Sequence, residues 1–249
     1  MKSAQDFMLE IPVLNYNDGI TKARQILRDD RFREIYVTGA KKTLAGYIDI
    51  TDALKVTATK SNVTIEGFVK DAACVNPGDP IEHVAKMMQK FHTDSAAVID
   101  HDRHILGGVL LSDLFPVIIS RNELSGRVQD RMSRTVVTAG PAETIQKIST
   151  KIVESGYTAF PVMKKNRLLG IISRRDLISS RSVRSALATH AHRPIGEIMT
   201  QEVITIAPGD GIREAAALMV RHDVSRLPVI DGDVLVGIVD RHDVLGGLA

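Results

Sequence analysis

The sequence has few of the residues that cross-link or stack. It contains one cysteine, Cys74, and no tryptophan, and aromatic residues make up only 4% of its 249 residues. A single cysteine excludes an internal disulfide framework and a cysteine-based zinc finger, and it is typical of a reducing compartment. The scarcity of aromatic residues argues against stacking platforms for single-stranded nucleic acid.

Long apolar runs and an excess of one charge are also absent. The N-terminus lacks the apolar core of a signal peptide, and no stretch approaches the roughly 18 apolar residues that a membrane helix needs. We therefore expect a cytoplasmic protein without membrane contact. The 32 Lys and Arg residues and 30 Asp and Glu residues give a formal net charge of +2, which demands no polyanionic partner.

Sequence signatures of catalysis are missing as well. There is no G-x-S-x-G, P-loop, Rossmann or H-E-x-x-H pattern. His190 and His192 alternate without an acid or a cysteine close in sequence, so they predict a solvated linker and no metal site. Because internal repeats take up every long segment, we expect no catalytic domain, no enzyme activity and no cofactor.

One pattern, by contrast, is present in four copies. A glycine is followed six residues later by an aspartate, as in "GIISRRD" from Gly170 to Asp176. The other three pairs are Gly46 and Asp52, Gly107 and Asp113, and Gly237 and Asp243. Internal repetition of this kind decides the architecture of a chain.

An amphipathic helix pattern precedes each of these glycines. In the fourth copy the apolar residues from Ile212 to Met219 fall at positions i, i+3, i+4 and i+7, which form one helix face. The corresponding stripes are Ile20, Ala23 and Leu27; Ile81, Val84, Ala85 and Met88; Ile145, Ile148 and Ile152; and Ile212, Ala215, Ala216 and Met219.

An acid stands two residues before the leading isoleucine of each stripe. Asp18, Asp79 and Asp210 are predicted to be the helix N-caps. Glu143 is a poorer cap but suits the positive end of the helix dipole. Pro80 is predicted at the first helical position, where proline is favoured.

Short strands flank each predicted helix. The strands before the helix are "IPVLN", "AACVN", "VVTAG" and "VITIA", and those after it are "EIYV", "AAVID", "AFPVM" and "RLPVID". With the strand at each motif glycine, every unit reads strand, helix, strand, strand, helix. This order predicts an α/β fold with repeats at 1–60, 61–125, 126–190 and 191–249.

A unit of this length is marginally stable alone, so the repeats are expected to pair. Four repeats predict two paired modules, the first repeat with the second and the third with the fourth. The turn-rich stretch from Asn122 to Gly126 is the predicted boundary between the modules.

The segments Arg131 to Ile178 and Ile198 to Leu245 carry these motifs most completely, and they resemble the CBS domain, which is named after cystathionine β-synthase. The first two copies fit in register, so the resemblance covers almost the whole chain. It implies β-α-β-β-α CBS repeats paired into two Bateman modules. It also implies a stand-alone regulatory protein that binds AMP, ADP or ATP, or S-adenosylmethionine as some members do.

The same resemblance implies a homodimer formed through the module faces and a separate protein partner. It assigns contacts with ribose and phosphate to the residues three and six positions after each glycine. These pairs are Ser173 and Asp176, Asp240 and Asp243, Asp49 and Asp52, and Leu110 and Asp113. Only Ser173 supplies the usual hydroxyl, and Leu110 leaves Asp113 without a polar partner, so the second module is expected to be the main binder.

Further candidate ligand contacts lie near these pairs. Basic residues that can reach phosphate are Arg174, Arg175, Arg226, Arg241 and His242. Thr138 and Thr205 stand at equivalent positions of the predicted first strands and can contact a base or ribose. Their equivalents in the first module, Val13 and Cys74, cannot play that polar role.

The chemistry of these residue types fits a nucleotide, and it also fits local structure. An aspartate can accept hydrogen bonds from both hydroxyls of a ribose, and a helix N-terminus favours phosphate. Ser-x-x-Asp before an apolar run is equally a helix-capping pattern, and the threonine hydroxyls can be satisfied by nearby backbone. Two carboxylates, as at Asp240 and Asp243, disfavour phosphate unless Arg241 offsets them.

Two other functions remain open at this point. Eight basic residues between Lys164 and Arg193 oppose Asp176 alone, a pattern typical of a solvated face or of a surface that binds RNA or DNA. The third possibility is a scaffold with empty clefts that serves oligomerisation alone.

Overall fold

A computed structural model describes residues 2–56, 61–179 and 181–248. The first half of the chain contains two successive runs of strand, helix, strand, strand, helix. Their elements are β1 (Val13–Asn15), α1 (Ile20–Ile26), β2 (Glu34–Thr38), β3 (Leu44–Asp49) and α2 (Ile50–Leu54), then β4 (Cys74–Val75), α3 (Ile81–Phe91), β5 (Ser95–Ile99), β6 (Ile105–Leu110) and α4 (Leu111–Arg121).

The second half repeats the pattern with sheets of fewer strands. Its elements are α5 (Val128–Arg131), α6 (Ile145–Ser155), β7 (Ala159–Lys164), β8 (Arg167–Ser173), α7 (Arg174–Ser179) and α8 (Arg181–Thr189), then α9 (Ile212–Arg221), β9 (Arg226–Asp231), β10 (Val234–Asp240) and α10 (Arg241–Leu245). Short 3-10 helices lie at Ala4–Asp6, Glu66–Phe68 and Ile195–Glu197. The mixed α/β class predicted from the sequence is confirmed.

The chain divides into two compact units. The first comprises Met1–Leu114 with Leu177–Ala191, and the second comprises Phe115–Asp176 with His192–Ala249. The stretch Asn122 to Gly126, predicted to separate the two modules, therefore lies inside the second unit. The limits predicted for the individual repeats stay predictions.

The apolar stripes predicted for the helices are all buried. Ile20, Ile81, Ile145 and Ile212, which lead the four stripes, are each 0% exposed. In the first unit the strands β2 and β5 are likewise buried along nearly their whole length. Among the described residues, no helix has the length and apolar character needed to cross a membrane.

The predicted N-caps are wrong by one residue. The helices begin one residue after Gly19, Pro80, Thr144 and Gly211, so Pro80 is itself an N-cap residue. The acids two residues before each helix instead close the preceding turn. Asp18, for example, accepts a hydrogen bond from Asn15 N at 2.8 Å, and Asp210 accepts one from Ala207 N at 2.9 Å. An acid at this position serves the turn because its carboxylate reaches the backbone N–H three residues earlier.

The first strands of the third and fourth repeats are reduced to single bridges, Ala139 with Val162 and Ile206 with Val229. In the second repeat Ala97 N donates to Ala73 O at 2.9 Å and so ties the first strand to the second. Pro161 and Pro228 occupy the corresponding position in the third and fourth repeats, and proline has no N–H to donate. The strands predicted at "VVTAG" and "VITIA" are therefore not formed.

The motif glycines serve the pairing of repeats within each unit. The segment that leads into each repeat crosses the partner repeat beside its glycine, with paired backbone hydrogen bonds: Leu9 with Gly108, Lys70 with Tyr47, Ser133 with Ile238, and Thr200 with Ile171. A Cβ on Gly170 would lie 2.6 Å from Thr200 O, and one on Gly107 would lie 2.7 Å from Leu9 O. The glycine is needed because backbone, and not a movable side chain, fills the space.

We predict that Gly170→Ala destabilises the second unit by about 1–3 kcal/mol, because the added methyl group forces Thr200 away from β8. Gly209→Ala is the matched control, since a Cβ there meets nothing within 4 Å. That variant should change the free energy of unfolding by no more than about 0.5 kcal/mol. Urea unfolding of both variants measures the difference, and equal effects would contradict the close-approach argument.

Candidate functional site

The four candidate pairs lie where the last strand of a repeat turns into its last helix, a place we call the corner of the repeat. In the third corner Ser173 ends β8 and Asp176 lies in the first turn of α7. Asp176 Oδ2 accepts hydrogen bonds from both Ser173 N and Ser173 Oγ at 2.7 Å. Asp176 thus makes the contact that the capping pattern assigns to the residue three positions after the cap. Burial raises the pKa of Asp176, and the hydrogen bonds from Ser173 partly oppose this rise.

The fourth corner joins two carboxylates. Asp240 is the N-cap of α10, and its Oδ1 accepts from His242 N at 2.9 Å and from Asp243 N at 3.1 Å. Asp243 Oδ2 accepts from Asp240 N at 2.9 Å. Burial, and then the charge of Asp240, raise the pKa of Asp243 to about 6. Arg226 faces Asp240 across the β9–β10 ladder.

The first corner has the same two carboxylates but adds two lysines. Asp49 caps α2, accepts from Asp52 N at 3.1 Å, and donates its own N–H to Asp52 Oδ2 at 3.1 Å. Lys70 Nζ lies 3.1 Å from Asp49 Oδ2 and 2.7 Å from Asp52 Oδ2. Lys55 Nζ lies 2.8 Å from Asp52 Oδ1. This corner is therefore closed by ion pairs within the protein.

The second corner lacks the polar pair. Leu110 is buried, so the residue that would cap α4 carries no acceptor. Asp113 is exposed and accepts only a long hydrogen bond, 3.3 Å from the hydroxyl of its neighbour Ser112. Its carboxylate does not reach back to the strand as Asp176 and Asp243 do.

The residue that follows each corner is a core position. Ile50 and Leu111 are buried there in the first unit, and Arg174 and Arg241 are 9% and 7% exposed in the second. The Arg241 guanidinium lies over the Phe115 ring at 5.5 Å and 3.4 Å from the Asp223 carboxylate. Arg241, which the sequence predicts to contact phosphate, thus has partners within the protein. Arg175 and His242, one position further along, are half-buried.

Thr138 and Thr205 lie beside the two prolines described above. Each directly precedes the bridged residue, Ala139 or Ile206, at the end of the sheet where β7 and β9 begin. Ser173 pairs with Ala159 at that same end, so the strand register places Thr138 and the third corner at one end of the sheet. Because Pro161 cannot donate, the carbonyl of Val137 next to Thr138 does not receive the ladder hydrogen bond that Ala73 receives. Thr205 is exposed and Thr138 half-buried.

Several residues at the corners were not found from the sequence. Lys70 and Lys55 lie outside the repeated motif, and nothing in their local sequence marks them. Lys151 donates to Thr138 O at 3.3 Å and pairs with Glu143 at 2.9 Å, so it fixes the backbone at the third repeat's edge. The position of Lys151 beside the apolar stripe of α6 is the sequence signal that could have located it.

The basic stretch is divided between the two units. Residues 164–176 and 192–193 belong to the second unit and residues 177–191 to the first. Arg184 donates to Ile178 O and Ser179 O at 2.7 and 2.9 Å, and Arg193 pairs with Glu197 at 3.1 Å. In the part of the chain that is described, no three His, Cys, Asp or Glu side chains cluster as a metal site would require.

Known proteins resemble this chain in sequence and in fold. A sequence profile of the CBS domain matches residues 65–120, 127–182 and 195–249, which together exceed half of the chain. CBS domain-containing protein YhcV of Bacillus subtilis is 34% identical over 122 residues, covering 49% of this chain and 82% of YhcV. The crystal structure of protein MJ1225 from Methanocaldococcus jannaschii superposes with a TM-score of 0.83 at 20% identity, over 98% of this chain and 99% of that one, so the fold is shared.

Two further sequence matches each cover only part of both proteins. In sequence, MJ1225 is 28% identical over 159 residues, which is 60% of this chain and 57% of that protein. An inosine-5'-monophosphate dehydrogenase of Korarchaeum cryptofilum is 29% identical over 119 residues, 47% of this chain and 23% of the enzyme. The aligned region thus spans less than two thirds of either protein.

We predict that Asp240→Asn lowers the pKa of Asp243 from about 6. Asparagine caps a helix about as well as aspartate, so the substitution removes charge and keeps the cap. The pKa should stay above the ordinary 3.8, because burial is the larger cause of the rise. Carboxyl-carbon NMR titration measures it, and an unchanged pKa would show that the two carboxylates do not interact.

The same variant should change stability in one pH range. A carboxyl with a raised pKa binds its proton more tightly when folded, so its contribution to the free energy of unfolding falls as pH rises from about 4 to about 6. We therefore expect Asp240→Asn to melt at a higher temperature than the unchanged protein at about pH 8, and at a similar temperature near pH 4, where Asp243 is largely protonated.

Proposed function

Because the chain belongs to the CBS-domain family, we propose that it is a stand-alone regulatory protein that binds adenosine nucleotides of the AMP, ADP or ATP type, mainly in its second unit. The proposal counts four CBS repeats in two Bateman modules. Residues 1–64 lie outside the profile matches. Their order of strands and helices and the reciprocal crossings, Lys70 beside Tyr47 and Leu9 beside Gly108, support a first repeat.

The observation that carries the proposal is the contrast between corners. The third and fourth corners have an aspartate at a helix start. A threonine, and backbone that lacks its ladder hydrogen bond because of a proline, lie at the same end of the sheet. The first corner is closed by Lys70 and Lys55, and the second has Leu110 in place of an acceptor. A ligand that needs carboxylate and backbone acceptors therefore has its partners in the second unit.

The binding chemistry follows from these groups. Asp176 and Asp243 accept hydrogen bonds from the ribose hydroxyls, as an ionised carboxylate can from two donors at once. Carbonyl groups beside Thr138 and Thr205 accept from the amino group of the base, and the threonine hydroxyls add a donor. Arg175, Arg226 and His242 supply donors for phosphate, with Arg174 and Arg241 behind them in the core.

The acid pair of the fourth corner favours a second ligand class there. Asp240 raises the pKa of Asp243, which means that a further negative charge is unfavourable at this corner. A ligand with positive charge and no phosphate, such as S-adenosylmethionine, meets no such repulsion. The third corner, with Ser173 in place of an acid, suits AMP, ADP or ATP better.

Binding becomes regulation when the ligand prefers one of two states of the protein. We propose that occupancy alters a contact with a separate protein partner and that the chain acts as a homodimer without catalysis of its own. The aligned segment is only 23% of the matched dehydrogenase, which supports a role for it beside catalysis.

Isothermal titration with AMP, ADP, ATP and S-adenosylmethionine tests the proposal. Asp176→Asn should weaken nucleotide binding at the third corner roughly 10- to 100-fold, because one charge-assisted hydrogen bond to the ribose is lost. Asp113→Asn, the same substitution at the exposed equivalent in the second corner, is the matched control and should bind as the unchanged protein does. Absence of binding by any of the four ligands would overturn the proposal.

A further inference from the structure

Lys70 is one of the features that distinguish the first corner from the fourth. Both corners carry Asp-x-x-Asp at the start of the last helix, with the same reciprocal capping contacts. In the first corner all four carboxylate oxygens have partners. Asp49 Oδ1 accepts from Asp52 N, Asp49 Oδ2 and Asp52 Oδ2 meet Lys70, and Asp52 Oδ1 meets Lys55.

The backbone holds Lys70 where its side chain can reach both acids. Lys70 N donates to Tyr47 O at 2.9 Å and Tyr47 N donates to Lys70 O at 2.8 Å. The ammonium also lies 4.8 Å from the centre of the Tyr47 ring, a cation–π distance. Asp52 is 1% exposed, so removing one partner of this buried ion pair is unfavourable.

The other repeats have no lysine at the equivalent place. The residue after the motif glycine pairs with Lys70 in the first repeat, with Thr200 in the third and with Ser133 in the fourth. The cross-strand neighbour of the corner also differs, since Glu34 pairs with Asp49 in the first repeat and Arg226 pairs with Asp240 in the fourth. The fourth corner thus keeps the carboxylate pair of the first but replaces its ammonium by a short hydroxyl.

We propose that Lys70 is a specificity-determining residue: its ammonium fills the first corner as a tethered occupant and thereby excludes adenosine ligands from that corner. The proposal rests on the proposed function and adds the reason for its asymmetry. A ribose offers neutral hydroxyl donors, which would have to replace a cation held by two carboxylates and an aromatic ring. Charge-assisted contacts are the stronger ones, and a tethered group loses little entropy on binding.

A reciprocal exchange tests this inference by titration calorimetry with AMP, ADP, ATP and S-adenosylmethionine. Lys70→Ser gives the first corner a serine where the fourth has Ser133 and should add one binding site. Ser133→Lys places an ammonium beside Asp240 and Asp243 and should remove the fourth-corner site. Lys41→Ser, which removes the same charge from an exposed turn, should leave the stoichiometry unchanged.

Ser133→Gln separates the effect of charge from that of side-chain size, because glutamine is long and neutral. Ser133 is exposed, so both substitutions leave the backbone crossing in place, and melting curves confirm folding. We expect Ser133→Gln to retain the site that Ser133→Lys loses. Equal loss in both variants, or no added site in Lys70→Ser, overturns the inference while leaving the proposed function intact.

Titration of the unchanged protein and of Lys70→Ser with the four ligands distinguishes the two proposals. If the unchanged protein binds no adenosine ligand but Lys70→Ser binds one, the proposed function falls and the inference stands; if neither binds, both fall.

Discussion

The structure depends on one close approach, that of a lead-in segment to the motif glycine of the partner repeat. At Gly170 and Gly107 a side chain of any size would meet backbone oxygen at less than 3 Å. The approach is reciprocal within each unit, so it ties two repeats together through paired backbone hydrogen bonds. It also delivers a specific residue, Lys70, Ser133 or Thr200, to the neighbourhood of the partner's corner. Pairing and the composition of the corner are therefore set by the same contact.

Structural and ligand-binding roles share atoms at the corners. Asp176 and Asp243 bind the backbone N–H of the residue three positions earlier, and these same carboxylates are the proposed partners of a ribose. One oxygen of such a carboxylate can cap while the other accepts from a ligand. The choice between a capping residue and a ligand contact, which the sequence poses at "SRRD", is thus not exclusive. What separates the first corner from the third and fourth is that Lys70 and Lys55 already bind its carboxylate oxygens.

Periodicity explains how much of this could be read from the sequence. The stripes from Ile81 to Met88 and from Ile212 to Met219 predict the buried helix faces because burial follows helical spacing directly. The N-caps were assigned one residue too early. An acid that closes a turn and an acid that caps a helix both stand just before the helix, so the sequence pattern does not separate them. The lost first strands depended on Pro161 and Pro228 in the neighbouring strand, a tertiary effect. Lys70 reaches Asp52 only through the crossing of repeats, which no local pattern reports.

The order of the two units along the chain has a consequence for biosynthesis. Leu177–Ala191 belongs to the first unit although it follows Phe115–Asp176 of the second, and its Val183, Ala186 and Leu187 are buried. A ribosome that has made the first two repeats has therefore not yet supplied every element of the first unit. Completion of the first unit therefore needs residues of the third repeat, although folding usually proceeds from the N-terminus. No single cut in the chain releases both units whole.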